Sequence, residues 1–371
     1  MDDYVTVAGR KMRKGYTTGT CAAAASKAAV SMLVTGKIPE SVSIDTPAGI
    51  RLELPVSDAL LKDCFAECSV IKDGGDDPDV TSGLKIFAKA ELTASGIVEI
   101  RAGEGIGTVT LPGLKAEVGK PAINPVPMKM IKEAVAGMLP AGKGAIITLR
   151  VPGGEEVAKR TYNPKLGIQG GLSIIGTKGI VEPMSEEAWK EALALELSVI
   201  GNKGFKSCVF VFGNYGEEFA ANELGIKKER IIKISNFIGF MLDKAVNCHI
   251  DSILLAGHLG KLVKVAGGIF HTHSRVADAR MEILSAYAAL EGAATKVVRR
   301  INACKSTGEA ALLIDSAGLA AVYERIVENA SERCIDYTHG KVFVGTILLN
   351  EENRMLCMDK KASTVIMELK K

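Results

Sequence analysis

The sequence predicts a mixed chain, α+β in its first part and α/β in its second, on three observations. Apolar runs in the first half are short, alternate with polar residues and are separated by glycine turns, which is the pattern of half-buried strands. From about residue 172 the pattern changes to short continuous apolar strands separated by helices, as parallel βαβ units covered on both faces read. The length of 371 residues suffices for two cores. The expected division is an α+β domain over 1–165 and a Rossmann-like parallel-sheet α/β domain over 166–305, with the packing partner of 306–371 left open.

In chain order, the first element is an alanine helix over 20–34, directly behind Gly15-Tyr16-Thr17-Thr18-Gly19-Thr20-Cys21. A helix start leaves backbone N–H groups unpaired and favours negative charge, so this hydroxyl-rich turn reads as a local anion seat. Thr20 is the expected N-cap, Gly19 lets the backbone approach a ligand, and Arg13 and Lys14 add positive charge. An ordinary capped core helix is the competing reading. Alternating strands are expected over 41–45 and 51–55. Asp73-Gly74-Gly75-Asp76-Asp77-Pro78-Asp79 carries four carboxylates in seven residues, so it must be solvated or lie against something positive. A glycine- and proline-rich stretch, 103–127, precedes a short helix over 128–139.

The second part is more legible. Strands are expected over 172–175, 207–212, 230–234 and 252–256, and helices over 185–200, 216–224 and 237–247. Ser185 is the expected cap of the first of these helices, with Glu186 and Glu187 in its first turn. The tail adds a helix over 308–330 and a strand over 341–348.

Composition narrows the function classes. With 46 basic and 43 acidic side chains the net charge is only +3, so no global field attracts nucleic acid or a membrane surface. No apolar run reaches the roughly 18–20 residues of a membrane span, and the polar start Met1-Asp2-Asp3 is unlike a secretory signal, so a cytoplasmic location is expected. Cysteines 21, 64, 68, 208, 248, 304, 334 and 357 are scattered in apolar contexts and read as reduced thiols, mostly buried. Nucleotide fingerprints are missing: Gly103-Glu104-Gly105-Ile106-Gly107 lacks dinucleotide-loop spacing, and Phe205 stands where a P-loop in 201–207 needs glycine.

Ligands of open parallel sheets bind beyond the carboxyl ends of the strands. Three successive ends carry polar or glycine residues: Gly213-Asn214-Tyr215-Gly216, Ser235-Asn236 and Gly257-His258-Leu259-Gly260-Lys261. Three on one edge point to a small-molecule site. Three of the five histidines, His258, His271 and His273, lie in 258–280 with Lys261, Lys264, Ser274, Arg275, Asp278 and Arg280. His271 and His273 suit a metal only in part, because no carboxylate or thiol is spaced to join them, and no protein metal is expected. Thr272 or Ser274 is the expected cap of a helix whose early turns hold Arg275 and Asp278 on one face, as an ion pair or as a carboxylate receptor.

Several of these stretches together resemble the cobalt-precorrin-5B C1-methyltransferase family of anaerobic cobalamin synthesis. They are 14–25, 73–79, 121–127, Val151-Pro152-Gly153-Gly154-Glu155-Glu156, Asn163-Pro164-Lys165-Leu166-Gly167-Ile168 and 271–284, so the likeness spans almost the whole chain. It implies methyl transfer from S-adenosylmethionine to ring carbon C1 of a cobalt corrinoid, with cobalt present only as part of the substrate. The donor is then expected at Gly213, Asn214, Tyr215, Gly216 and Gly257, with Ser235 and Asn236 near its ribose. The carboxylate-fringed macrocycle is expected to meet Lys14, Thr17, Thr18, Thr20, Lys261, His271, His273, Ser274, Arg275 and Arg280. His258 and Tyr16 are the candidate bases. A transferase or lyase acting on another carboxylate-rich metabolite and a non-catalytic corrinoid carrier are the alternatives, and the oligomeric state is left open.

Overall fold

The computed structural model describes residues 4–371, and the polar start Met1-Asp2-Asp3 lies outside the described residues. Parallel and antiparallel sheets occur together with helices, and the chain divides into two compact units between Glu187 and Ala188.

In the first unit, strands Ser57–Leu61, Ala66–Ile71, Lys85–Thr93, Gly144–Arg150 and Val98–Ala102 form one sheet in that spatial order. Its last pair is parallel and the others antiparallel. The alanine helix runs Thr18–Thr35 and lies on this sheet beside helix Pro125–Ala136. Ala22, Ala23, Ala24, Ala25, Ala28 and Ala29 are completely buried in one core with Ala66, Ala88, Ala90 and Ala145 of the sheet. Small side chains on both layers bring helix and sheet close enough for the Cys68 thiol to reach the Ala25 carbonyl at 3.3 Å. The helix ends at Gly36, whose left-handed φ of 69° closes the last turn onto Met32. Strands Ser41–Asp45 and Arg51–Pro55 form a separate antiparallel pair, as the alternation predicts.

The boundary expected at residue 165 falls elsewhere. Ile168–Gln169 pairs with Thr108–Val109, and Ile180–Val181 pairs with Gly15–Tyr16, so 166–187 belongs to the first unit. The strand expected over 172–175 is reduced to isolated bridges, Leu172 to Ile106 and Ile174 to Ile123.

In the second unit, strands Ile231–Lys233, Ser207–Val211, Ser252–His258 and Phe343–Leu349 lie side by side and parallel, and Met355–Met358 closes the edge antiparallel. The last two strands assign 306–371 to this unit. Both faces are buried. Cys208, Phe210, Ile253 and Leu255 point into one core, whereas Val209, Val211, Leu254 and Ala256 point into another against Phe219, Val365 and Leu369. The helix expected over 308–330 is two, Thr307–Ser316 and Ala321–Tyr337, broken at Gly318 with a φ of 68°. Helix Arg280–Leu290 starts later than expected, because 271–279 forms a bend, a turn and irregular backbone. Among the described residues, no helix is long and apolar enough to cross a membrane. All eight cysteines are free thiols, most of them buried as expected, with Cys64 exposed.

Candidate functional site

The threonine stretch leads from strand Gly15–Tyr16 straight into the first turn of the alanine helix, and its polar groups are already used. Thr17 is the N-cap, accepting from the Thr20 amide at 3.3 Å, which corrects the placement of the cap at Thr20. Thr17, Thr18 and Thr20 are all buried. The Thr18 hydroxyl accepts from the Ile175 amide at 2.9 Å, the Thr20 hydroxyl donates to the Gly179 carbonyl at 2.7 Å, and the Gly19 amide donates to the Ile175 carbonyl at 3.0 Å. Segment 173–179 of the chain therefore fills the position expected for an anion. A Cβ on Gly176 would lie 2.2 Å from the Thr17 hydroxyl, so the segment needs glycine there to settle on the turn. Gly19 serves packing in the same way, since a Cβ there would meet Pro127 at 2.6 Å.

Neighbouring residues share this structural character. The Tyr16 hydroxyl donates to the Ile71 carbonyl at 3.0 Å, and burial pushes its pKa up to about 12, which unsuits it as a base near neutral pH. The acidic loop lies against positive charge: Arg13 binds Asp73 with its guanidinium, at 2.8 Å for one contact, and Lys72, 3 % exposed, pairs with Asp79. Hydrogen bonding from Arg13 holds the Asp73 carboxyl below the usual carboxylate range. Lys14 stays half-buried beside this loop.

In the second unit the strand-end residues do gather. Numbered along the chain, the parallel strands lie in the order 2-1-3-4, so the order reverses between Ser207–Val211 and Ser252–His258. A crevice forms at such a reversal, where the connecting helices diverge to opposite faces. Gly213, Asn214 and Tyr215 stand on one side of it and Gly257 and His258 on the other. The Tyr215 ring, 60 % exposed, meets the His258 ring edge to face at 5.9 Å between centroids. His258 Nε2 lies 2.9 Å from Asn353 Oδ1, across 95 residues of sequence. Asn353 takes a left-handed φ of 62° in a tight turn, its amide donating to the Asn350 carbonyl at 3.0 Å.

Glycines shape the crevice. A Cβ on Gly257 would lie 2.5 Å from the Phe212 ring, whereas one on Gly213 would meet nothing within 4 Å, so space lies open at the start of helix Asn214–Asn222. Gly216 packs inward against Val211. Asn214 is steadied by Lys233 at 3.1 Å, and Lys233 is paired in turn with Glu217 at 2.9 Å. Ser235 sits in the left-handed region at φ 52°, a conformation that costs about 1–3 kcal/mol in a non-glycine residue and clusters at functional sites.

The basic cluster sorts into distinct jobs. Lys261, half-buried, donates to Asn236 Oδ1, and the Thr272 hydroxyl lies 3.2 Å from the same oxygen. Burial, and then repulsion from Lys264 and Arg280, lowers the Lys261 pKa. Lys264, 2 % exposed, donates to the carbonyls of Thr272 at 3.2 Å and Ala277 at 2.8 Å, so it pins the 272–277 loop. The pair expected between Arg275 and Asp278 does not form: Asp278 takes both hydrogen bonds from Arg280, at 2.6 and 2.8 Å. The reason is that 271–279 is not helical, so a three-residue spacing does not place side chains on one face. Arg280 is thereby committed to Asp278, whereas Ser274 and Arg275 are exposed. His273 Nδ1 accepts from the Arg275 amide at 3.1 Å, and the His271 and His273 rings are 6.5 Å apart. Among the described residues, no three His, Cys, Asp or Glu side chains converge as metal ligands.

Three residues of the second unit lie outside the sequence expectations: Asn353, Phe237 and Trp189. Asn353 follows the fourth parallel strand, and the strand-end rule applied to the other three, extended by one, leads to Asn350–Asn353. Phe237 and Trp189 carried no local signal, because each reads as a core residue of its helix.

The family model described as CbiD matches residues 5–183, and that of the CbiD C-terminal domain matches 271–360. A relative from Alkaliphilus metalliredigens, named cobalt-precorrin-5B C(1)-methyltransferase, is 48% identical over 370 residues, covering 100% of this chain and 98% of its own. A relative of the same name from a Thermoanaerobacter species is 50% identical over 352 residues, 94% of this chain and 96% of its own. The solved structure of a cobalamin biosynthesis protein (cbiD) from Archaeoglobus fulgidus aligns with 28% identity over 76% of this chain and 88% of that one, at a TM-score of 0.39. Likeness at this level of identity, sustained from end to end, means that the chain belongs to the CbiD family.

Proposed function

We propose that this protein transfers a methyl group from S-adenosylmethionine to carbon C1 of cobalt-precorrin-5B, giving cobalt-precorrin-6A in anaerobic cobalamin synthesis. The observation that carries this reading is the end-to-end likeness to relatives bearing that name. We read the second unit as a Rossmann-like domain and put the donor in the crevice where its strand order reverses.

The residues there fit such a donor. Gly213 leaves room beside the start of a helix, Tyr215 offers an aromatic edge, and Asn214 and Ser235 offer an amide and a hydroxyl for the methionine and ribose parts. Asn236 acts at one remove, since Lys261 and Thr272 already hold its oxygen. S-adenosylmethionine supplies a methyl group on sulfonium sulfur, already a good leaving group, so no covalent link to the protein is needed. The work left to the chain is alignment of the attacking carbon with that methyl, a task worth up to about 7–11 kcal/mol of barrier in well-oriented systems. His258 takes the proton that the macrocycle loses. With Asn353 Oδ1 as acceptor, Nε2 carries a hydrogen and Nδ1 keeps its lone pair for that purpose. Cobalt arrives with the substrate, and eight free thiols accord with a reducing, cytoplasmic setting.

Incubation with cobalt-precorrin-5B and methyl-labelled S-adenosylmethionine, followed by mass spectrometry of the corrinoid, tests the reading. One labelled methyl at C1 is expected. Corrinoid binding without label would instead favour a carrier, and neither binding nor transfer would overturn the assignment.

A further inference from the structure

We infer that a row of rings on the second unit, Trp189, Phe237, His271 and His273, is the platform on which the corrinoid macrocycle lies, an inference that rests on the methyltransferase reading. Phe237 is its keystone. The Trp189 ring meets Phe237 at 6.2 Å and 72°, and the His271 ring meets it at 5.4 Å and 80°. His273 continues the row at 6.5 Å from His271. Phe237 itself is 4 % exposed, while Trp189 is 46 % exposed and both histidines are half-buried, so the phenyl ring backs an accessible wall. Backbone bonds fix the geometry: the Thr272 amide donates to the Asn236 carbonyl at 3.0 Å, and the Gly239 amide to the Phe270 carbonyl at 3.0 Å, strapping 270–273 alongside 236–239.

Charge selects the occupant. Lys190 lies over the Phe237 ring at 5.1 Å. Lys261, on the strand-end side, is hydrogen-bonded among the described residues to the neutral oxygens of Asn236 and Thr272, so no protein carboxylate matches it there. Arg275 is exposed two residues beyond His273 and makes no ion pair among the described residues. An extended ring wall bordered by cations suits a large flat macrocycle fringed with carboxylates. A purine would cover a fraction of the row and bring no carboxylate for Lys261 or Arg275. The wall adjoins Ser235-Asn236, so the macrocycle would lie next to the strand ends to which the donor is assigned.

Trp189 is the single tryptophan of the chain, so its emission reports on this wall alone. The test titrates the full-length protein with a cobalt corrinoid bearing free side-chain carboxylates and with its fully amidated counterpart, alongside equilibrium dialysis. Saturable quenching is expected, with at least tenfold weaker binding of the amidated form. His273→Ala and Lys261→Met should each weaken binding at least fivefold with unchanged far-UV circular dichroism, and Phe237→Leu, which keeps the burial but removes the ring, should do the same. Corrinoid retained in dialysis with Trp189 emission unchanged would overturn the platform, while labelled methyl transfer in the same preparation would leave the methyltransferase reading standing. Failure of both binding and transfer would remove that reading and the platform together.

Discussion

Thr18→Val separates the two roles that the threonine turn can have. The substitution keeps the branched shape and opens no cavity. It removes the hydroxyl that accepts from the Ile175 amide at 2.9 Å and lies 3.3 Å from the carbonyls of Ser173 and Ile175. Leaving a buried donor without its acceptor costs about 1–3 kcal/mol. The Ile175 amide is only partly buried, so we expect the lower part of that range, about 1–2 kcal/mol. At roughly 2–4 °C per kcal/mol for a unit of this size, the melting transition of the first unit should fall by roughly 2–8 °C. Urea unfolding followed by circular dichroism measures the change, and corrinoid affinity is measured on the same preparation. The structural role predicts lower stability with affinity unchanged. Stability unchanged within about 0.5 kcal/mol together with a tenfold loss of affinity would refute the reasoning and restore the anion seat.

Three further outcomes are expected. Lys264→Met should destabilise the second unit by about 2 kcal/mol: two carbonyls lose a charged donor worth roughly 1.5–3 kcal/mol each, partly offset because no ammonium is then buried. Amide exchange across 272–279 should rise with it, and unchanged protection there would dismiss the loop-pinning role. His258→Ala should lower kcat by about 10²–10⁴-fold if His258 is the base. Asn353→Gly, which tolerates the left-handed backbone, should cause a smaller loss and shift the His258 tautomer signature in nitrogen-15 spectra; an unaltered signature would separate the two residues. The third outcome concerns acid. Arg13 holds the Asp73 carboxyl below its ordinary pKa of about 3.9, so the contribution of this contact is fully present above that value and is lost as pH falls through the lower, folded one. Proteolysis of the 73–79 loop should therefore rise below about pH 4 in the native protein, and Asp73→Asn should show the raised susceptibility already at neutral pH. Equal cleavage of the two proteins at neutral pH would dismiss the contact as a latch.

The amino-acid sequence by itself determined the elements whose patterns are local. The alanine helix, the pair Ser41–Asp45 with Arg51–Pro55, and the parallel strands Ser207–Val211 and Ser252–His258 follow from spacing over a few residues, because side-chain direction repeats every 3.6 residues in a helix and every two in a strand. It also located the decorated edge of the parallel sheet, since ligand sites at strand ends follow from connectivity. Only the tertiary structure decided what the polar groups do. Whether Thr18 faces a ligand or the Ile175 amide depends on a segment 157 residues away, and whether Arg280 is available depends on Asp278 standing outside a helix. The partnership of His258 with Asn353, and the assembly of Trp189, Phe237, His271 and His273 into one row, join positions that no local pattern relates. Hydroxyls, guanidinium groups and rings take their function from whichever neighbours arrive first at hydrogen-bond or van der Waals distance, and those neighbours are chosen by packing across the whole unit.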